Sequence, residues 1–113
     1  MGNRGKIVFG RYDGSNNPSP RNSVPLNDNT SHHVVGVKRS ANLELYIDGS
    51  FDMSTPDTTV GSTTNTDDLW IGAGAVGGIY HFNGALDEIA IFNRALSAAE
   101  IQSLHAASIF CSP

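Results

Sequence analysis

Apolar residues in this chain fall in short runs separated by clusters of turn formers. "KIVFGRY", Lys6 to Tyr12, reads as a first strand and "DGSNNPSP" after it as a turn. A weaker extended segment, Arg21 to Leu26, carries Pro25 and suits a sheet edge. "HHVVGVKR", His32 to Arg39, is short enough for a buried strand, and "NLELYID", Asn42 to Asp48, alternates cleanly. The Asp48-Gly49 pair that ends it predicts a type I′ hairpin, and a two-residue turn sets Tyr46 opposite Phe51. Ser54 to Asp68 is polar and β-branched, as an exposed connection would be. Leu69 to Ala73 and Ala85 to Phe92 read as two further strands, with a flexible "GAVGG" turn after the first. Only then does the period change. Ser97 and Glu100 have the spacing of a capping box, and Leu96, Ile101 and Leu104 supply the apolar side of a helix over Ala98 to Ala106.

Many strands, frequent turns and one late helix predict an all-β antiparallel sandwich. With 113 residues, no internal repeat and no linker, the chain is a single domain. Twelve glycines agree with a turn-rich fold. The net charge of −4 argues against a nucleic-acid partner, which would need clustered Lys and Arg; only Lys38 and Arg39 are adjacent. No apolar stretch approaches the ~20 residues that cross a bilayer, and "MGNRGKIVFG" has no hydrophobic run of signal-peptide length. The single cysteine, Cys111, cannot form an intrachain disulfide, though it could crosslink two chains.

"HHVVGV", "LELYIDGS", "LWIGA" and "FNGALDEIAIFNRALSAAEI" follow one another in the order and spacing of the LamG-like jelly-roll domain of the concanavalin A-like lectin/glucanase superfamily. The chain resembles that family over roughly Lys6 to Leu104, most specifically in its last third. The resemblance implies a jelly-roll sandwich and an extracellular setting. Two departures stand out. Ser31 occupies the position where the family usually has tryptophan, and the strands that normally precede the counterpart of "KIVFGRY" have no equivalent here.

Glucanases of this fold carry a strand motif resembling Glu-Ile-Asp-Ile-x-Glu, which supplies the acid and the nucleophile that a retaining glycosidase needs on opposite sides of one bond. In the comparable stretch, Glu88 to Asn93, the positions sharing Glu88's face are Ala90 and Phe92. One carboxylate remains, so no hydrolysis by this route is expected. His32 and His33 are strand neighbours that point to opposite faces and cannot grip one ion together. His105 at the helix end would favour the negative pole of the helix. The resemblance makes His32 and His33 structural.

Asp87 shares parity with Ile89 and Ile91, and a carboxylate on an apolar face needs a partner. Two partners are open: a Ca²⁺ ion, which the family often holds near the sandwich rim, or backbone N–H groups of a neighbouring loop. Trp70 faces outward if Leu69 and Ile71 face inward. It is the leading candidate for stacking on a sugar, with Tyr46 beside it and Tyr80 and His81 in "GGIYHF" as weaker ones. The expected activity is non-catalytic recognition of carbohydrate or a glycosylated surface; the alternative is a structural or self-associating adhesion-type domain. Missing opening strands would leave a sheet edge and an apolar face uncovered. A homodimer or higher closed oligomer is therefore expected, built by edge pairing, face-to-face packing or exchange of Lys6 to Tyr12.

Overall fold

The computed structural model describes residues 5–73 and 82–111. Its centre is an antiparallel sheet of three strands in sequential order: β1 (Val34–Arg39), β2 (Asn42–Ile47) and β3 (Ser50–Pro56). The expected turn joins β2 to β3. Ile47 pairs with Ser50, and both intervening residues have the positive φ of a type I′ turn, 52° at Asp48 and 84° at Gly49. Tyr46 lies opposite Phe51 with the rings edge to face at 5.6 Å. The register then shifts by one residue, because Leu45 pairs with Met53. Asp52 is the extra residue of this bulge, and its carboxylate accepts the Ser23 N–H at 2.8 Å and hydroxyl at 2.7 Å.

Alternation along β1 separates the two sheet faces. Gly36 faces the N-terminal segment, where a Cβ would come within 2.7 Å of the Phe9 ring. Leu45, the cross-strand partner of Gly36, is fully buried on that face, as is Leu43. Val37 faces the other way, in a cluster with Tyr46, Leu96 and Ile101, and Val35 and Ala95 pack against it. Burying a side chain the size of Ile101 is worth roughly 1.5–3 kcal/mol.

The helix α1 (Ala98–Cys111) runs on beyond the expected Ala106. Its N-terminus has the capping box: Glu100 N–H donates to Ser97 Oγ at 3.1 Å, and Ser97 N–H to Glu100 Oε1 at 2.8 Å. Leu96 before the cap and Ile101 after the first turn bury together as a hydrophobic staple. Leu104, expected on the same side, is 38% exposed. No helix among the described residues is long and apolar enough to cross a membrane.

Lys6 to Tyr12 is extended, but its partner is the stretch read as a turn. Phe9 N–H donates to the Pro20 carbonyl at 3.1 Å, and Arg11 N–H to the Pro18 carbonyl at 3.2 Å. Neither proline can return a bond, so each pair is joined on one side only and the ladder shrinks to a single bridge, Val8 to Arg21. Pro18, Pro20 and Asn22 are buried. Both ends of the Asn22 amide are engaged: its Oδ1 accepts from Ile7 N–H at 2.6 Å, and its side-chain amide donates to the Val24 carbonyl.

Two expected strands are not part of the sheet. Around Leu69–Ala73, among the described residues, Ala73 is a bridge residue and the Phe82 N–H donates to the Gly72 carbonyl at 2.8 Å. Residues 85–92 form no ladder, and Glu88 has φ of 52°, which interrupts the extended backbone. Among the described residues the fold is thus one three-stranded sheet, with the 5–22 segment on one face and α1 on the other. A second sheet is not formed among them.

Candidate functional site

Among the described residues, those singled out in the sequence do not converge. Trp70 is 47% exposed, so it does face outward, but Leu69 at 71% and Ile71 at 57% are exposed as well. The alternation invoked to orient it is therefore not realised. Tyr46 corrects the expectation more sharply. It is 5% exposed in the core cluster, and its hydroxyl donates to Glu44 Oε1 at 3.0 Å. The cross-strand geometry that pairs it with Phe51 also turns it under α1, which removes its ring from any sugar. Tyr80 and His81 lie outside the described residues.

Asp87 is exposed, and its Oδ1 accepts the N–H of Glu88 at 2.8 Å, its own neighbour rather than a separate loop. The apolar face it was assigned to does not exist, since Ile89 is 52% and Ile91 76% exposed and the backbone turns at Glu88. Among the described residues no three His, Cys, Asp or Glu side chains gather as a metal site would require. Asp87 thus has no cluster of carboxylate or imidazole partners beside it among the described residues, and a Ca²⁺ there would depend on backbone carbonyls and water.

Polar side chains do converge elsewhere, at the β2–β3 turn. His32 Nδ1 lies 2.8 Å from Asp48 Oδ2, and Nε2 lies 2.8 Å from Asp28 Oδ1 and 3.1 Å from Thr30 Oγ1. Hydrogen bonds first to Asp48 and then to Asp28 raise the His32 pKa above its ordinary value. The Thr30 hydroxyl, followed by His32, lowers Asp28 to about 2. A hydroxyl, an imidazole and a carboxylate in line resemble a nucleophile-activating set. However, Thr30 donates its proton to Asp28 at 2.6 Å, and a ring between two carboxylates holds its own proton. The set is a poor base. His33 points the opposite way, as expected from its position, with its ring 5.7 Å from that of His105. Burial pushes the His33 pKa down.

A second polar knot anchors the connection after β3. Asp13 accepts four backbone N–H groups, those of Ser15 and Asn16 in its own turn and of Val60 and Gly61 across the gap. These bonds, Asn16 first, hold its carboxyl far below the usual carboxylate range. Arg11 pairs with Asp57 and donates to Thr59 Oγ1 at 2.9 Å and Thr63 Oγ1 at 3.2 Å. The "exposed connection" is tied to the 5–22 segment. Its signal was Asp13-Gly14, read only as a turn.

Phe82, Leu86, Ile89, Ile91 and Phe92 are each 47–76% exposed, forming a run of apolar surface. Phe92, Arg94, Glu100 and Leu104 are among the residues lining an open depression of about 440 Å³ beside α1.

The laminin G family model described as the concanavalin A-like lectin/glucanases superfamily matches residues 1–102. The chain belongs to this family. The mostly-sheet architecture with one C-terminal helix agrees with that membership. A solved structure of the same shape is an S-layer domain-containing protein (residues 221–444) from Clostridium thermocellum ATCC 27405. It is 25% identical, with a TM-score of 0.61, over 89% of this chain and 52% of that one. This laminin G-like chain thus spans about half the length of the structure it matches. No curated protein matches it.

Proposed function

We propose that this domain is a non-catalytic recognition module whose ligand is a carbohydrate or a glycosylated surface, met at Trp70. Membership of a lectin/glucanase superfamily supports a sugar ligand class, and the likeness to an S-layer domain-containing protein supports a role at a surface. The observation that carries the reading is the half-exposed indole of Trp70 between exposed Leu69 and Ile71, an apolar platform open to a pyranose face. Catalysis has no counterpart to this: Glu88 lacks a second carboxylate at the Ala90 and Phe92 positions.

Because Trp70 is the only tryptophan, its fluorescence reports on the proposed site alone. Titration with soluble plant and microbial polysaccharides should give a saturable change in the parent chain, and Trp70→Ala should lose retention on the same glycans in an affinity-electrophoresis or pull-down assay. Unchanged emission across the panel, with no retention on insoluble glycans, would overturn the reading.

The apolar run from Phe82 to Phe92 favours a second reading, self-association of the chain as a structural or adhesion-type domain. A homodimer or closed oligomer in sedimentation at micromolar concentration supports it, and a stable monomer there rejects it.

A further inference from the structure

The β2–β3 turn is held by more than its own backbone. Asp48 N–H donates to the His33 carbonyl at 2.7 Å, and Asp48 Oδ1 accepts the His33 N–H at 2.9 Å. Its other oxygen faces the His32 ring, whose far nitrogen faces Asp28. The ring is 17% exposed and has a carboxylate on each nitrogen. Neutral imidazole has one N–H and one lone pair, whereas imidazolium has two N–H donors. Only the charged ring can donate to both aspartates. When it is neutral, one nitrogen directs a lone pair at a carboxylate oxygen, and that contact turns repulsive.

We propose that His32 is a proton-operated clasp: as imidazolium it ties the loop carrying Asp28 and Thr30 to the Asp48-Gly49 turn, and on deprotonation it releases the Asp28 end. Asp28 is the end that lets go because Asp48 stays fixed by its two backbone bonds to His33. Asp28 is 53% exposed, and its remaining bonds, from Thr30 N–H at 3.2 Å and Thr30 Oγ1, are within its own loop.

The groups acting on the ring are Asp48 and Asp28. Both raise its affinity for the proton, so the clasp is closed below the ordinary histidine value of 6.5 and opens as pH rises through a midpoint above it. His33, on the other side of the same turn, runs the opposite way. It is influenced by His105, Asp48 and Glu88, and burial disfavours its charge. A His105 atom lies 3.0 Å from where a Gly49 Cβ would sit, so α1 rests on the turn that the clasp holds. The two histidines contribute opposite pH slopes to global stability, and a bulk melting curve would blend them.

A site-resolved NMR titration of the full chain separates them, following the His32 ring signals and the Thr30 amide between about pH 5 and pH 9. The expected result is a His32 midpoint above 6.5 with the Thr30 amide moving on the same midpoint. Asp28→Asn should bring that midpoint down by about one pH unit. Asp67→Asn, an equal change in net charge elsewhere, should leave it in place. A His32 midpoint at or below 6.5, a Thr30 amide that ignores it, or an equal drop in both variants would overturn the proposal.

Discussion

Residues 34–56 and residues 82–92 are built from similar side chains, yet they end in different physical states. In the first stretch Leu43 and Leu45 are fully buried, and every strand has a partner for its backbone. In the second, Ile89, Ile91 and Phe92 stand 47–76% exposed and no ladder forms. Two tight turns account for much of the contrast. Ser40-Ala41 and Asp48-Gly49 fold the three strands onto one another within a few residues, so loop closure costs little. The 82–92 stretch has no such neighbour among the described residues. An apolar alternating run becomes a strand only where something is placed to accept its N–H groups.

The largest test of this contrast exchanges a core isoleucine and an exposed one for alanine. Ile101→Ala removes a fully buried side chain from the helix–sheet cluster and should cost about 2–5 kcal/mol. Ile91→Ala, at 76% exposure, should stay within about 0.5 kcal/mol. Urea unfolding of both variants measures the difference. A large loss from Ile91→Ala that grows on dilution would mean that a second copy covers this surface, since only an associating system depends on protein concentration.

A smaller effect is expected where the sheet meets the N-terminal segment. Gly36→Ala would place a methyl group 2.7 Å from the Phe9 ring and so force the 5–22 segment outward. Overpacking of this kind costs about 1–3 kcal/mol. If the variant is as stable as the parent, Phe9 is not seated on the sheet and the two-sided covering of β1–β3 fails. Thermal unfolding, together with the methyl shifts of Leu45, would decide it.

These contrasts also mark how far the chain could be read without coordinates. The Asp48-Gly49 turn, the Tyr46–Phe51 pair and the Ser97–Glu100 box were legible because each is decided by residues a few positions apart. The pairing of residues 7–11 with 18–22 was missed because Pro18 and Pro20 argue against a strand, yet their carbonyls still accept. Tyr46 was misplaced as a sugar platform because alternation gives parity but does not say which face α1 will cover. Asp87 was given an apolar face by a parity that the left-handed Glu88 breaks. The Asp28–His32–Asp48 group left only a faint trace, an Asp four residues before a His. Its third member comes from a turn sixteen residues further on.

The helix cap should show a lesser effect than either core change. Ser97→Ala removes the acceptor of the Glu100 N–H and should cost about 1 kcal/mol, with the first turn of α1 losing amide protection first. Unaltered exchange rates at Glu100 and Ile101 would show that the Leu96–Ile101 staple alone defines the helix start.

The smallest expected effect is electrostatic. Arg94 grips both oxygens of Glu100, at 2.9 and 2.6 Å, and this contact, ahead of the Ser97 N–H, lowers the Glu100 pKa to about 2. A depressed carboxyl contributes stability that is full above its ordinary value of 4.5 and is lost as pH falls toward about 2. The difference in melting temperature between the parent and Arg94→Gln should therefore be present near neutral pH and shrink steadily through that acid window. Both side chains are well exposed, 57% for Arg94 and 40% for Glu100, so solvent weakens the pair and about 1 M salt should remove most of the difference. The helix cap should respond little to salt, because its hydrogen bonds to Ser97 are local. A difference that survives both acid and salt would mean that Arg94 acts through packing beside Phe92 and Leu104, which line the same depression, rather than through its charge.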